Sequence, residues 1–483
     1  MLALLQDMWS WVAGALTILL AVIASSHAVV YKRDDRAALG WVGVIWLVPV
    51  AGPVLYVLFG INRIRRRAIL MRADTAQFMT GEFPASRDEK LLDRLLGEDN
   101  RHIAQLSRLV DSVARRAITY NNSVVSLRNG EEAYPEMLAS INRAEKSIGL
   151  STFIFDNDVT GRKFCEALAG AVHRGVAVRV LIDAVGSRYS WPSIIRELKR
   201  AKVPVARFAP TLLPWRLPYM NLRNHRKILV IDGRDGYAGG MNIRDRHVLA
   251  DRPLSPVRDV HFRINGPVVA HLSTAFAEDW VFSTKEELAG PTWFAEPESA
   301  GNVAARGLTD GPDEDFEKLR WTMLGALACA QKTVRIVTPY FLPDSALITA
   351  LDVAAMRGVS VEIVLPEKNN QILVQWASNA RLWRLVNRGC EIYMSPAPFD
   401  HSKIMVVDGV WSLIGSANWD PRSLRLNFEF NLECYSSPLA ATLDSFVDRK
   451  IAESRHYTWV DVATRSWAVR MRDGVARLMS PYL

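Results

Sequence analysis

Two histidines, His225 and His401, open the same short pattern at distant points of a 483-residue chain. In "NHRKILVIDGRDGYAGGMN" and in "DHSKIMVVDGVWSLIGSAN" a lysine follows the histidine by two positions, an aspartate follows the lysine by five, and an asparagine follows the aspartate by ten. The first set is His225, Lys227, Asp232 and Asn242; the second is His401, Lys403, Asp408 and Asn418. Side chains alternate across a strand, so each His and Lys share one face, while the Asp, an odd number of steps from the His, points to the other. Each Asp also opens an Asp-Gly pair, a strong hairpin signal. The aspartates therefore serve the scaffold and the basic groups serve a surface. One copy alone would read as an edge strand carrying a protective lysine; two copies at identical spacing imply a shared chemical task.

Two histidines facing each other, each with a lysine and an asparagine, are equipped for phosphodiester chemistry without a metal. A neutral imidazole can attack phosphorus and form a covalent phosphohistidine. The other, protonated, can hand its proton to the leaving alkoxide and then take one from an incoming alcohol. Lys227, Lys403, Asn242 and Asn418 would bind the non-bridging oxygens and stabilise the charge of the transition state. Asp259 in "VRDVHFRI" and Glu429 in "NFEFNLEC" could each accept an N–H from a histidine and fix its tautomer. Ser416 would add a hydroxyl to the phosphate in the second copy, where the first has Gly240.

Such residues work only if a frame brings them together, and the chain supplies one by repeating itself. "KSIGLSTFIFDND" (146–158) matches "KTVRIVTPYFLPD" (332–344), and each is followed by an amphipathic helix, an Arg-Gly stop and an apolar strand. Strands alternating with helices predict an α/β protein of two pseudo-symmetric lobes, each a mostly parallel sheet flanked by helices with the hairpin added. The expected divisions are a membrane hairpin over 1–62, a basic juxtamembrane linker over 63–115, a first lobe over 116–300, and a second lobe over 301–483 ending in a helical tail. A pseudo-twofold between lobes would bring the two His-Lys faces together. The first lobe alone carries "APTLLPWRLPYMN", whose Leu212, Leu213 and Trp215 form an apolar lip in this reading.

The hydrophobic share of 49% includes two N-terminal runs, about 8–31 and 37–60, that contain no Lys, Arg, Asp or Glu. Each is long enough to span roughly 30 Å of hydrocarbon, and Pro49 and Pro53 should bend the second. Trp9, Trp11, Tyr31, Trp41 and Phe59 lie near the ends, as interfacial anchors do. "NRIRRRAILMR" follows with five arginines, so the positive-inside rule puts the lobes in the cytoplasm of a multi-pass inner-membrane protein. Four scattered cysteines fit a reducing compartment and lack the spacing of a zinc site. The net charge of +8 implies an acidic partner, lipid or nucleic acid.

The doubled His-x-Lys-x4-Asp pattern with its trailing Gly-Gly/Ser-x-Asn resembles the phospholipase D superfamily. With the N-terminal spans, "GGMN" and "GSANWDPRSLRLNFEFNLE", the chain is similar, over nearly its whole length, to bacterial cardiolipin synthases. That resemblance implies transfer of a phosphatidyl group between two phosphatidylglycerol molecules through a phosphohistidine, with release of glycerol and no cofactor or metal. It implies a catalytic set of His225, Lys227, Asp232, His401, Lys403 and Asp408, with His225 the nucleophile and His401 the general acid. Asn242, Asn418, Ser416, Asp259 and Glu429 would support them. Anionic lipid, not nucleic acid, then becomes the expected partner. A hydrolytic phospholipase D or another phosphatidyltransferase would use the same residues, and oligomeric state leaves no trace in the sequence.

Overall fold

The computed structural model describes residues 2–32, 35–60, 89–114, 116–209, 222–312 and 317–480. The lip residues Leu212, Leu213 and Trp215 and the arginine-rich stretch after residue 62 lie outside them. Two compact units result, Met1–Arg67 and Ala68–Leu483.

The second unit holds both repeats. In the first lobe the strands are β1 (Thr119–Arg128), β2 (Ser147–Thr152), β3 (Ala177–Asp183), β4 (Val205–Phe208), β5 (Arg223–Asn224), β6 (Ile228–Ile231), β7 (Asp235–Gly239), β8 (Val257–Arg258) and β9 (Val260–Asn265). In the second they are β10 (Val303–Asp310), β11 (Thr333–Val337), β12 (Ser360–Pro366), β13 (Glu391–Ser395), β14 (Phe399–Asp400), β15 (Ile404–Val407), β16 (Trp411–Gly415), β17 (Asn427–Tyr435) and β18 (Arg455–Tyr457). The duplicated segments fold alike for local reasons. Asp158 caps the helix after β2 by accepting from Gly161 N–H, and Asp344 caps the helix after β11 by accepting from Ala346 and Leu347 N–H. Each helix buries one stripe, Phe164, Leu168 and Ala171 in the first and Leu347, Leu351 and Ala354 in the second. Gly175 and Gly358, with φ of 89° and 90°, then reverse the chain into the next strand.

The strands join one sheet in the order β18-β13-β12-β11-β15-β16-β17-β10-β1-β9-β7-β6-β2-β3-β4. Apart from β18 the order is a palindrome about the β10–β1 pair, the pseudo-twofold anticipated from the repeat. The expectation of mostly parallel sheets is corrected. Along that order only β2-β3-β4 and β11-β12-β13 run parallel, with the two-residue β5 joining β17 in parallel off the path. The remaining neighbours, hairpins and long central strands, are antiparallel. Helical crossovers force parallel pairing, and each lobe has only two; strands joined by tight turns must pair antiparallel. Part of the expected linker is folded as well. Helices Glu89–Leu96 and Ala104–Ala114 bury Leu92, Leu96, Leu106 and Val110 in the second lobe's core beside Leu319 and Met323.

In the first unit, Leu2–Tyr31 is one helix, and its Trp11–Tyr31 portion of 21 residues is long and apolar enough to cross a membrane. Two such helices were expected; among the described residues there is one. The second apolar run breaks at Val48–Val50 into a helix Asp35–Leu47 of 13 residues and a short turn of helix Ala51–Leu55. Thirteen residues reach only about 20 Å. Pro49 lacks the N–H to continue the helix and pushes its predecessor from α geometry, and Val50 takes a left-handed φ of 65°. Pro49 breaks this run where bending was expected, while Pro53 is accommodated inside the helix Ala51–Leu55. Ala21, Ala24 and Ala28 of the long helix give a small-residue face that packs against Ile45 and Tyr56.

Candidate active site

Neither motif histidine lies inside a regular strand. His225 follows the two-residue β5, and His401 follows the two-residue β14. Each short strand pairs in parallel with the opposite lobe: β5 with β17, in register Asn224↔Phe428, and β14 with β8, in register Asp400↔Arg258. His225 N–H donates to Phe428 O at 2.9 Å and His401 N–H to Arg258 O at 2.8 Å. The next residue on each accepting strand is the carboxylate. His225 Nδ1 donates to Glu429 at 3.0 Å, and His401 Nδ1 donates to Asp259 Oδ2 at 2.8 Å. Each lobe therefore lends its carboxylate to the other lobe's histidine. With Nδ1 held as N–H, Nε2 of each ring is left for chemistry. The imidazoles keep only 11% and 12% of their surface exposed, walled by Phe153 on one side and Tyr340 and Phe399 on the other.

Burial dominates the electrostatics. It lowers the pKa of His225 against the pull of Glu429. It lowers that of His401 further, helped by the charges of Lys403, Lys227 and His225. Burial also brings Lys227 down to about 7 and Lys403 down to about 8. Lys227 Nζ donates to His225 O at 2.6 Å and Lys403 Nζ to His401 O, so each ammonium is tied to its own motif. The carboxylates differ. Burial raises Asp259, whereas for Glu429 the charges of His225 and Lys227 and the hydrogen bonds from His225 and Ser416 outweigh burial and lower it. The cluster is a largely buried group of two lysines, two histidines and two carboxylates. A phosphodiester entering it would supply the negative charge that its lysines lack.

The family model described as "Cardiolipin synthase, PLD-like domain" matches residues 137–280 and 323–451, the two stretches that carry the motifs. The chain is 32% identical over 475 residues to the major cardiolipin synthase of Bacillus subtilis (strain 168), spanning 97% of both chains. The chain belongs to the cardiolipin synthase family. It is equally 32% identical to the cardiolipin synthase of Geobacillus kaustophilus (strain HTA426), over 100% of this chain and 97% of that one. A model described as "Phospholipase_D-nuclease N-terminal" matches residues 15–60. Among solved structures, phosphatidylserine synthase of Haemophilus influenzae Rd KW20 shares the fold, with a TM-score of 0.63 and 14% identity over 78% of this chain and 100% of that one.

In this family member the remaining motif residues divide by function. Asp232 accepts N–H bonds from Glu145, Lys146 and Ser147. Asp408 accepts from Gln331, Lys332 and Thr333 and pairs with His102 Nε2 at 2.6 Å. Both lie away from the histidines and tie each hairpin to the start of β2 or β11. Ser416, expected to offer its hydroxyl to phosphate, instead donates to Glu429 and accepts from Phe430 N–H. Gly240 has no side chain because Asp259 fills its place: a Cβ there would meet Oδ2 at 2.7 Å and Oδ1 closer still. Asn242 accepts from Ile154 N–H at 3.0 Å, and Asn418 donates to Ser423 Oγ at 3.2 Å, so each amide is already half committed to the scaffold.

Two ion pairs under the histidines went unread in the sequence. Arg226, fully buried, donates to Asp279 at 2.7 Å and to Glu429 O at 3.1 Å, while Asn224 Nδ2 binds the other Asp279 oxygen. In the second lobe Asp400 holds Ser402 N–H and pairs with Lys450. Both partners come from matching helices, Val269–Thr284 and Ser437–Glu453. A signal existed. Arg226 stands next to His225 and so faces the opposite side of the chain, into apolar sequence, where a guanidinium needs a buried anion.

Proposed function

We propose that this chain transfers a phosphatidyl group from one phosphatidylglycerol to another, with His225 as nucleophile and His401 as general acid and base. His225 Nε2 attacks phosphorus, the bond to the headgroup glycerol breaks, and His401 donates its proton to the leaving alkoxide. The hydroxyl of a second phosphatidylglycerol then gives its proton back to His401 and attacks phosphorus. The N–P bond breaks, and the products are cardiolipin and glycerol. Lys227 and Lys403, with Nδ2 of Asn242 and the second N–H of Asn418 Nδ2, bind the non-bridging oxygens. Glu429 and Asp259 hold the rings. The observation that supports this reading is the pair of Nδ1–carboxylate bonds, which leave Nε2 of both rings for chemistry. The lobes are cytoplasmic, on the weight of the five arginines in 63–72.

The reverse division of labour has one observation in its favour. Burial and the charges of Lys403, Lys227 and His225 depress His401, which suits a neutral nucleophile. Acid-quenched enzyme mapped for its phosphatidyl adduct decides between them: an adduct on His225 supports the first assignment, and one on His401 reverses it. The overall reaction is tested with purified enzyme and phosphatidylglycerol alone, in mixed micelles with chelator, by mass spectrometry. Cardiolipin plus glycerol is expected; phosphatidic acid as the sole lipid product would make the chain a hydrolase.

A further inference from the structure

The helix Trp467–Leu478 is amphipathic the wrong way round for a protein surface. At 3.6 residues per turn, Trp467, Met471, Val475 and Leu478 fall within an arc of about 80°, and they are 75%, 48%, 56% and 73% exposed. The opposite face is the one turned into the protein: Asp473 and Ala476 are buried, with Asp473 held between Arg465 and Arg472. A surface helix normally shows water its polar face. Here the polar anchor points in and the apolar crest points out, and the short helix before it leaves Trp459 and Val460 exposed as well. Exposed apolar stripes of this kind mark sites where something else docks.

Charge identifies the partner. Residues 465–480 contain four arginines against a single aspartate. Arg470 and Arg477 flank one side of the crest and Arg472 the other. Arg470 spends its donors on the carbonyls of Arg465 and Ala463, neutral partners that leave its charge intact. An apolar ridge with tryptophan at one end and arginines along both flanks is the arrangement of a helix lying in the plane of an anionic bilayer: crest among the acyl chains, guanidinium groups at the phosphates. A second copy of the chain would bring like charges face to face along the same flanks. We infer that Trp467–Leu478 is a membrane-docking helix that seats the second lobe on anionic lipid. Nothing in this docking depends on which reaction the site catalyses.

The test uses the full chain in lipid discs of phosphatidylcholine with and without phosphatidylglycerol. Val475→Cys in a Cys329→Ser background carries an environment-sensitive fluorophore, and Lys199→Cys, on an exposed helix of the first lobe, is the reference. Phosphatidylglycerol should shift the Val475→Cys emission to the blue and remove its quenching by aqueous iodide, leaving Lys199→Cys unchanged. Arg470→Gln with Arg477→Gln should raise the phosphatidylglycerol content needed for the shift, and high salt should do the same. A label equally open to iodide with and without phosphatidylglycerol overturns the inference. Protection that follows protein concentration rather than lipid composition also overturns it, in favour of self-association.

Discussion

Gly240→Ser gives this family member's first lobe the residue that its second lobe already has at Ser416, and it should nonetheless be damaging. The added Cβ would stand 2.7 Å from Asp259 Oδ2 and nearer to Oδ1, where carbon and oxygen normally settle at about 3.3–3.6 Å. The β-carbon is fixed by the backbone, so the carboxylate must withdraw. Oδ2 must retreat by roughly 0.6–0.9 Å and the nearer Oδ1 by more, enough to take the 2.8 Å bond to His401 Nδ1 beyond hydrogen-bond range. A hydrogen bond to a charged group contributes about 1.5–3 kcal/mol, and each 1.36 kcal/mol is tenfold in rate, so turnover should fall roughly 10- to 150-fold. The loss of turnover belongs to His401 orientation, and the displaced buried carboxylate should lower the melting temperature as well. Gly240→Ala should behave alike, because the clash comes from the Cβ. Adding Asp259→Glu should restore part of the loss, since Ser416 and Glu429 coexist in the second lobe with the hydroxyl bonded to the carboxylate. Initial rates on phosphatidylglycerol micelles, paired with calorimetry, measure both. A Gly240→Ser enzyme with wild-type turnover would refute the steric coupling of Gly240 to Asp259.

Asp408→Asn should cost stability and spare chemistry. It weakens an acceptor that serves three N–H groups and His102, about 1.5–3 kcal/mol by the scale for charged hydrogen bonds; an unchanged melting temperature with collapsed turnover would contradict this. Acid should destabilise the lobes through His247, His261 and His271, which burial holds down at about 3. Unfolded histidine takes its proton near 6.5 and these cannot until about 3, so the full contribution is present above 6.5 and is lost as pH falls toward 3. Each such histidine costs roughly 1.4 kcal/mol per pH unit in that window; a melting temperature flat from pH 7 to 5 would count against it. At the other limb, kcat/KM should decline as pH rises above about 7 to 8, because Lys227 and Lys403, lowered to about 7 and 8, lose the protons that bind phosphate. Constant kcat/KM up to pH 9 would mean that the lysines stay charged in the free enzyme.

What could be read from the sequence was local. The Asp-Gly turns and the Arg-Gly stops at Gly175 and Gly358 depend on residues within a few positions of one another. The repeat added the palindromic sheet order. What could not be read was the exchange between lobes. It rests on β5 and β14, two residues each, too short to leave a pattern, and on parallel partners about 200 and 140 positions away in sequence. The bond from Ser416 to Glu429 was hidden for the same reason, since the carboxylate lies thirteen positions further on. The second apolar segment was expected to bend at its prolines; its helix instead ends at Leu47, because Pro49 has no N–H with which to continue it.

The exchange also explains why two such similar lobes have drifted apart in charge. Beneath His225 the strand supplies the cation, Arg226, and the helix the anion, Asp279; beneath His401 the strand supplies the anion, Asp400, and the helix the cation, Lys450. Either polarity closes a buried pair that anchors the motif, so neither is forced by the fold. Each choice, however, changes the field at a histidine whose carboxylate comes from the other side. Glu429 with Ser416 and Asp259 with Gly240 show the same divergence one layer nearer the rings: a longer acid with a hydroxyl partner, and a shorter acid that needs the space a side chain would occupy. A nearly symmetric frame thus produces two histidines in unequal surroundings. Because each ring is held by the opposite lobe, neither lobe can assemble even half of the site without the other.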